Sequence, residues 1–146
     1  MIAPCGFRCD QCLAFVGNAR SHADRVRGSA AWAKYYQLQV SPQHMKCQGC
    51  AQGHVEGLRF PDPKCEIRPC APERGVRTCA DCPDYPCATL QSRMKACDRA
   101  VGRYRGAIPD AEFARCIAPY DCRATLEELR RQQGADSAKS RGRKDR

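Results

Sequence analysis

Residues 65–87 read CEIRPCAPERGVRTCADCPDYPC, and this stretch decides what kind of fold the chain can adopt. It contains five cysteines and four prolines, which leaves no room for a long helix or strand. The wider segment 43–87 has the same character, with seven cysteines, six prolines and four glycines. Such a segment becomes ordered only around fixed points, and the cysteines are the residues that can provide them.

The chain is too poor in large apolar residues to be held together by an ordinary hydrophobic core. Its 146 residues suffice for one domain and are too few for two ordinary ones. Leu, Ile, Val and Phe make up about 14% of the chain, below the roughly 20% under which a highly charged chain usually stays disordered. The 13 cysteines compensate, so disulfides or metal ions must supply the missing stability.

The beginning of the sequence favours metal ions over disulfides. Residues 1–5 have neither the basic segment nor the apolar run of a signal peptide. No stretch approaches the roughly 18 apolar residues of a membrane span. We therefore expect a cytoplasmic protein whose thiols stay reduced. The odd number of cysteines also argues weakly against a closed disulfide framework.

The formal net charge of +9 is partly explained by the cysteines themselves. A metal ligand is a thiolate, so two divalent ions held by eight thiolates would bring the charge to about +5. The basic composition alone is thus a weak sign of nucleic-acid binding. Several basic residues lie between or beside cysteines, where they would balance this charge: Lys46, Arg59, Lys64, Arg68, Arg74 and Arg77.

The spacing of the cysteines predicts metal coordination. Three Cys-x-x-Cys pairs occur, at Cys9–Cys12, Cys47–Cys50 and Cys79–Cys82. Two thiolates separated by two residues can bind one tetrahedral ion, because the short loop turns both sulfurs to the same side. None of the pairs has the βαβ context of a thioredoxin-like redox motif. We predict ten metal ligands: Cys5, Cys9, Cys12, Cys47, Cys50, Cys65, Cys70, Cys79, Cys82 and Cys87.

These ten cysteines also resemble a known family. Residues 3–12 (APCGFRCDQC), residues 47–50 (CQGC) and residues 65–87 are similar to the prokaryotic family called domain of unknown function 3795. The closing Cys-x-x-Cys-Pro-x-Tyr-Pro-Cys is distinctive, and the matches run from residue 3 to about residue 90. The cysteines of this family are generally taken to bind zinc, so the resemblance implies cytosolic metal binding, and it supplies no reaction. It does not extend to three further cysteines: Cys97, Cys116 and Cys122.

The spacing leaves open which cysteines share an ion. The two triplets, 5–12 and 79–87, could meet in a four-thiolate site with two thiols spare. They could equally form a six-thiolate binuclear cluster, or hold an iron–sulfur cluster with some cysteines left free. His44 and His54 lie near the second pair, and either could complete a site. The most self-contained set is formed by the central cysteines: Cys47, Cys50, Cys65 and Cys70.

Structural zinc, at about two ions, is the expected cofactor, and a [4Fe–4S] cluster is the alternative. The triplet at 5–12 has the spacing of the radical S-adenosylmethionine cluster loop, but the chain is too short for a barrel of roughly 200 residues. All-cysteine zinc sites are usually closed, and no nucleophile elbow or phosphate loop occurs. We therefore expect a binding module rather than an enzyme. The alternative function is an iron–sulfur protein for electron transfer or redox sensing.

Helices are predicted on both sides of the cysteine-rich segment. Trp32, Tyr36 and Val40 recur every four residues before a proline stops the pattern. Apolar residues from Leu90 to Tyr104 recur every three or four positions, on one face of a helix. The expected fold class is a small metal-stabilised domain of mainly α-helices plus irregular loops and knuckles, with little or no sheet.

The domain organisation follows from the same pattern. We expect a single cysteine-rich metal-binding domain over residues 1–133, with a helical C-terminal part at 86–133. After Gly134 the sequence becomes polar and basic, which predicts a disordered tail over 134–146. A protein or nucleic-acid partner could bind through this basic C-terminal region, and no membrane interaction is expected.

Overall fold

The structure of the chain, a computed structural model, describes residues 1–52, 62 and 64–144. No strand occurs in these residues, and β pairing is limited to two isolated bridges, Ile2–Arg8 and Phe15–Cys47. The predicted class, mainly helical with irregular loops and little or no sheet, is therefore confirmed. The α-helices are α1 His22–Tyr36, α2 Ile67–Glu73, α3 Ala88–Tyr104, α4 Asp110–Cys116 and α5 Cys122–Lys144.

Short 3-10 helices fill much of the remaining chain. Three of them begin at a cysteine, over Cys9–Gln11, Cys50–Gln52 and Cys79–Asp81. Two others lie in the segments that follow α1 and α4, over Pro42–His44 and Ala118–Tyr120 respectively. No helix in the described part of the chain combines the length and hydropathy needed to cross a bilayer.

Helix α1 has a distinct stop signal at each end. At the N-terminus the Ser21 hydroxyl accepts the N–H of Asp24, and the Asp24 carboxylate accepts the N–H of Ser21, which forms a capping box. At the C-terminus Gln37 adopts a left-handed conformation with φ of 54°. The helix therefore stops before Val40, whose carbonyl instead accepts the Ser29 hydroxyl at 2.5 Å.

Helices α3 and α5 pack against each other and form the wall on which the cysteine loops rest. The predicted apolar face of α3 is buried through Leu90, Met94 and Cys97. From α5, Cys122 and Leu126 enter the same core with no exposed surface. The Asp121 carboxylate accepts the N–H of Ala124 at 3.1 Å. Asp121 thus caps the N-terminus of α5, which begins at Cys122.

Helix α5 continues into the residues for which the sequence predicts a disordered tail, 134–146. The helix runs through Gly134 to Lys144, although side chains from 131 to 137 are exposed. A glycine inside an exposed helix costs about 1 kcal/mol relative to alanine. Many of the residues around it are Ala, Gln, Arg and Lys, which favour helix, and the Gln133 side chain donates to an Asp81 carboxylate oxygen at 2.5 Å. Helical propensity and this contact both support the continuation.

Candidate metal centre

Two Cys-x-x-Cys pairs fold into the same local structure. In the first, the Cys12 N–H donates to the Cys9 carbonyl at 3.2 Å, and the Phe15 N–H donates to the Cys12 carbonyl at 3.2 Å. In the second, the same two bonds link Cys82 to Cys79 and Tyr85 to Cys82, also at 3.2 Å. The sequence Cys-x-x-Cys-x-x-aromatic thus forms one turn of 3-10 helix followed by a tight turn, twice in the chain.

The third pair, Cys47–Cys50, lies against the first. The Cys47 N–H donates to the Ala14 carbonyl at 2.8 Å, and the Cys47 carbonyl accepts the Val16 N–H at 2.8 Å. Gly49 lies so close to Cys9 that a Cβ atom at this glycine would be 3.4 Å from the Cys9 Sγ. The backbone therefore brings together two pairs that are far apart in the sequence.

Four thiols form one group, which we call the first thiol group: Cys9, Cys12, Cys47 and Cys50. Burial is the main cause that raises the pKa of Cys9 and of Cys47 to about 11. The other members of the group add to these shifts, because each would carry like charge as a thiolate. Burial also raises the pKa of Cys12, with a further contribution from Cys50. All six pairs within the group interact in this way.

Hydrogen-bond donors surround the sulfurs of the first thiol group. The Gly49 N–H donates to the Cys47 Sγ at 3.4 Å, and the Tyr120 hydroxyl donates to the Cys12 Sγ at 3.4 Å. A backbone hydrogen bond from Cys50 lowers the pKa of Cys9, although burial outweighs it. Such donors stabilise a thiolate and orient it toward a metal ion.

Tyr120 is held in place by an aromatic cluster. Its hydroxyl oxygen accepts the Trp32 Nε1–H at 2.9 Å and the Leu13 N–H at 3.2 Å. The rings of Phe7, Trp32 and Tyr36 meet its ring edge-on at centroid distances of 5.4, 6.2 and 5.5 Å. Nothing in the sequence marks Tyr120 as part of this group, because it lies 108 positions after Cys12 and carries no metal-binding signal of its own.

A second thiol group surrounds Cys79 and comprises Cys70, Cys79, Cys82 and Cys87. Burial raises the pKa of Cys79 to about 11, and like charge on Cys87, Cys70, Cys82 and Cys65 adds to it in that order. Two basic residues support this loop. The Arg74 Nη1 lies 3.8 Å from the Cys82 Sγ, and the Arg130 Nη1 of α5 donates to the Ala80 carbonyl at 2.9 Å.

Cys5 and Cys65 lie between the two thiol groups. Burial raises the pKa of Cys5 to about 12, and like charge on Cys50 and Cys65 adds to it. The Arg93 Nη2 lies 3.8 Å from the Cys65 Sγ and 2.9 Å from an Asp62 carboxylate oxygen. Arg93 is half-buried beside these sulfurs, so its positive charge would stabilise their thiolate forms.

The donor chemistry of the two groups fits a thiophilic ion, whereas their present geometry is that of separate thiols. In the part of the chain that the structure describes, no three Cys, His, Asp or Glu side chains stand together as a ready ligand set. Binding would require the sulfurs of each group to rotate toward a common point, with loss of their protons. The local folds, the N–H donors and the neighbouring guanidinium groups are already in place.

One of the two histidines predicted as possible ligands lies in the described residues. The His44 Nδ1 lies 3.1 Å from the Ser41 hydroxyl, which holds the ring in its exposed turn. His54 lies outside the described residues. The most self-contained set in the sequence is Cys47, Cys50, Cys65 and Cys70. Of these, Cys47 packs in one apolar cluster with Cys12, whereas Cys50 and Cys65 pack against another cluster that contains Cys5 and Cys9.

The two thiol groups and the residues between them coincide with a family match. Residues 1–92 match the family described as protein of unknown function, DUF3795. The chain belongs to this family. The DUF3795 match covers about three-fifths of the chain and includes all ten cysteines predicted as ligands. No curated protein and no solved structure matches the chain.

The DUF3795 part depends on residues outside the matched range. Tyr120 donates to Cys12 of the first thiol group, Arg130 donates to Ala80 in the loop between Cys79 and Cys82, and both residues follow residue 92. Gly6 is also close to α5, since a Cβ atom there would lie 2.7 Å from the Cys122 carbonyl oxygen. The C-terminal helices therefore position the loops that carry the cysteines.

Proposed function

We propose that this DUF3795 protein binds two structural zinc ions in the cytoplasm and acts as a binding module. The first thiol group would hold one ion and the second thiol group the other, with Cys5 and Cys65 between them. The observation that carries the proposal is the contact between the pairs Cys9–Cys12 and Cys47–Cys50, which the backbone hydrogen bonds of Cys47 and the close approach of Gly49 to Cys9 produce. Four thiolates from two such pairs are the usual ligands of a closed zinc site.

The charges around the cysteines support the same proposal. Four thiolates around one divalent ion leave a net charge of about −2, which is costly inside a protein unless cations lie nearby. The positive charge of Arg68 lowers the pKa of Cys47. Arg74 lies beside Cys82, and Arg93 lies beside Cys65. Each guanidinium group would offset part of the charge that metal binding creates.

The energetic role proposed for zinc is to replace a large apolar core. A structural zinc site contributes on the order of 10–16 kcal/mol to folding, and an ordinary domain is stable by only about 5–15 kcal/mol. Two such sites would account for the folding of a chain in which Leu, Ile, Val and Phe are scarce. Closed four-thiolate sites leave no position for a substrate, which favours a binding role over catalysis.

A basic line on α3 favours an anionic partner for the module. Lys95, Arg99 and Arg103 are exposed and follow one another every four residues, about 6 Å apart along the helix. Within the described residues none of the three forms an ion pair. A variant with alanine at all three positions should elute from a polyanionic column at lower salt than the parent. Unchanged elution would argue against this surface.

The first experiment is elemental analysis of protein purified without oxygen. We expect about two zinc ions and no iron per chain. About four or more iron per chain would instead support the iron–sulfur alternative, a protein for electron transfer or redox sensing. Replacement of Cys47 by serine should remove one zinc, whereas Cys116→Ser, which changes a buried cysteine outside both groups, should remove none.

Paired substitutions test the assignment of cysteines to ions. Cys9→Ser with Cys50→Ser changes only the first thiol group, so one zinc should remain bound. Cys9→Ser with Cys79→Ser changes both groups, so both ions should be lost. If the first double variant lost both ions while the second kept one, the proposed division of the ligands would be wrong.

A further inference from the structure

Two buried cysteines outside the family match lie in direct contact. Cys97 of α3 and Cys122 of α5 have sulfur atoms 3.0 Å apart, with the Cys122 thiol donating a hydrogen bond to the Cys97 sulfur. Cys97 is 7% exposed and Cys122 is fully buried. A disulfide bond is about 2.05 Å long, so the two sulfurs would need to approach by only about 1 Å.

The surroundings of this pair give the two thiols different roles. Cys97 keeps the small exposed fraction, so an oxidant from solvent reaches it first. The hydrogen bond from Cys122 lowers the pKa of Cys97, and the positive charge of Arg93, one helical turn earlier, acts in the same direction. The same contact raises the pKa of Cys122. Thiolate character and access together favour attack by Cys97.

We propose that Cys97 and Cys122 form an oxidation site, at which a hydroperoxide converts the thiol pair into a disulfide that joins α3 to α5. In the first step the Cys97 sulfur attacks one peroxide oxygen. An S–O bond forms, the O–O bond breaks, and the leaving oxygen takes the proton from Cys97 as water or an alcohol. In the second step the Cys122 sulfur attacks the sulfenic sulfur of Cys97. The S–S bond forms, the S–O bond breaks, and the hydroxyl group leaves as water with the proton from Cys122.

The position of the pair gives the disulfide a consequence for the cysteine loops. The loop that carries Cys5 lies against Cys122, because a Cβ atom at Gly6 would be 2.7 Å from the Cys122 carbonyl oxygen. A covalent link between α3 and α5 would fix the surface on which this loop rests. The proposal concerns residues outside both thiol groups, so it holds whether or not those groups bind zinc.

The test uses the full chain, purified under reducing conditions and then treated with one equivalent of hydrogen peroxide. Remaining thiols are alkylated in denaturant, and the digest is analysed by mass spectrometry without reduction. The expected product is a cross-linked pair of peptides containing Cys97 and Cys122, about 2 Da lighter than the two reduced peptides together. It should form before any other cysteine pair, and a reductant should remove it.

Variants separate this site from general cysteine oxidation. Cys116→Ser changes a buried cysteine on α4 and should leave the cross-link unchanged. In Cys122→Ser, Cys97 should be trapped as a sulfenic acid by dimedone. The parent digest decides the matter if this variant fails to fold. Recovery of both residues as alkylated thiols while other cysteines oxidise, or a link from Cys122 to Cys5, would overturn the proposal.

Discussion

Replacement of Gly49 by alanine should weaken one zinc site without affecting the other. Gly49 has a φ of +88°, a conformation that L-residues rarely adopt. A Cβ atom there would lie 2.7 Å from the Met1 Sδ, 3.3 Å from the Cys9 Cβ and 3.4 Å from the Cys9 Sγ. The flexible Met1 side chain can move aside, whereas Cys9 cannot move freely if it is a ligand.

The expected magnitude follows from two contributions. An L-residue in a left-handed conformation costs roughly 1–2 kcal/mol, and the crowding of Cys9 adds about 1 kcal/mol. The metal-free loop can relax to relieve both, but a loop that holds an ion cannot. The cost of roughly 2–3 kcal/mol therefore falls on metal binding and corresponds to roughly 30- to 150-fold weaker affinity at the first thiol group.

The assay is zinc competition against a chromophoric chelator that resolves two binding events. Gly106→Ala is the matched control, because Gly106 also has a positive φ, of +74°, but a Cβ atom added there would meet no other atom within 4 Å. Gly106 also lies far from the Cys-x-x-Cys pairs in the sequence, so its replacement should lower the stability of the fold without a selective loss of affinity at one zinc site. The reasoning would be refuted if Gly49→Ala bound both ions as tightly as the parent, or if Gly106→Ala lost as much affinity.

Three further predictions concern stability. Complete removal of metal by a chelator should abolish much of the helical circular dichroism, and an unchanged spectrum would contradict the structural role of zinc. Gly6→Ala should destabilise the zinc-loaded protein by roughly 2–5 kcal/mol in urea unfolding, because φ is +95° and the added carbon would meet the Cys122 carbonyl. The control is Gly102→Ala, in an open helical position, which should stabilise the protein by about 0.5–1 kcal/mol. Tyr120→Phe should cost about 1–3 kcal/mol for each buried donor left unsatisfied, and a urea midpoint equal to that of the parent would count against the hydrogen bonds to Trp32 and Leu13.

Elements with a strong local signal could be predicted from the sequence. The apolar face of α3 is buried where the period of three and four residues placed it, at Leu90, Met94 and Cys97. The end of α1 was harder to predict from the sequence, because Gln37 adopts a left-handed conformation at a position where glycine is the usual residue. Likewise, the extension of α5 past Gly134 depends on many small propensities, which no single residue reveals.

The grouping of the cysteines could not be predicted, because chain separation hardly affects the energy of closing a loop. Cys50 and Cys65 are separated by 14 residues, whereas Cys12 and Cys47 are separated by 34. The closure cost rises by only about 0.6 kcal/mol for each doubling of length, so the shorter loop gains less than about 1 kcal/mol. Two backbone hydrogen bonds at Cys47, together with the contact between Gly49 and Cys9, are enough to outweigh this difference. Nearness in sequence is therefore a poor guide to which cysteines lie together, and the backbone pairing around Cys47 is the feature that brings its pair to the pair Cys9–Cys12.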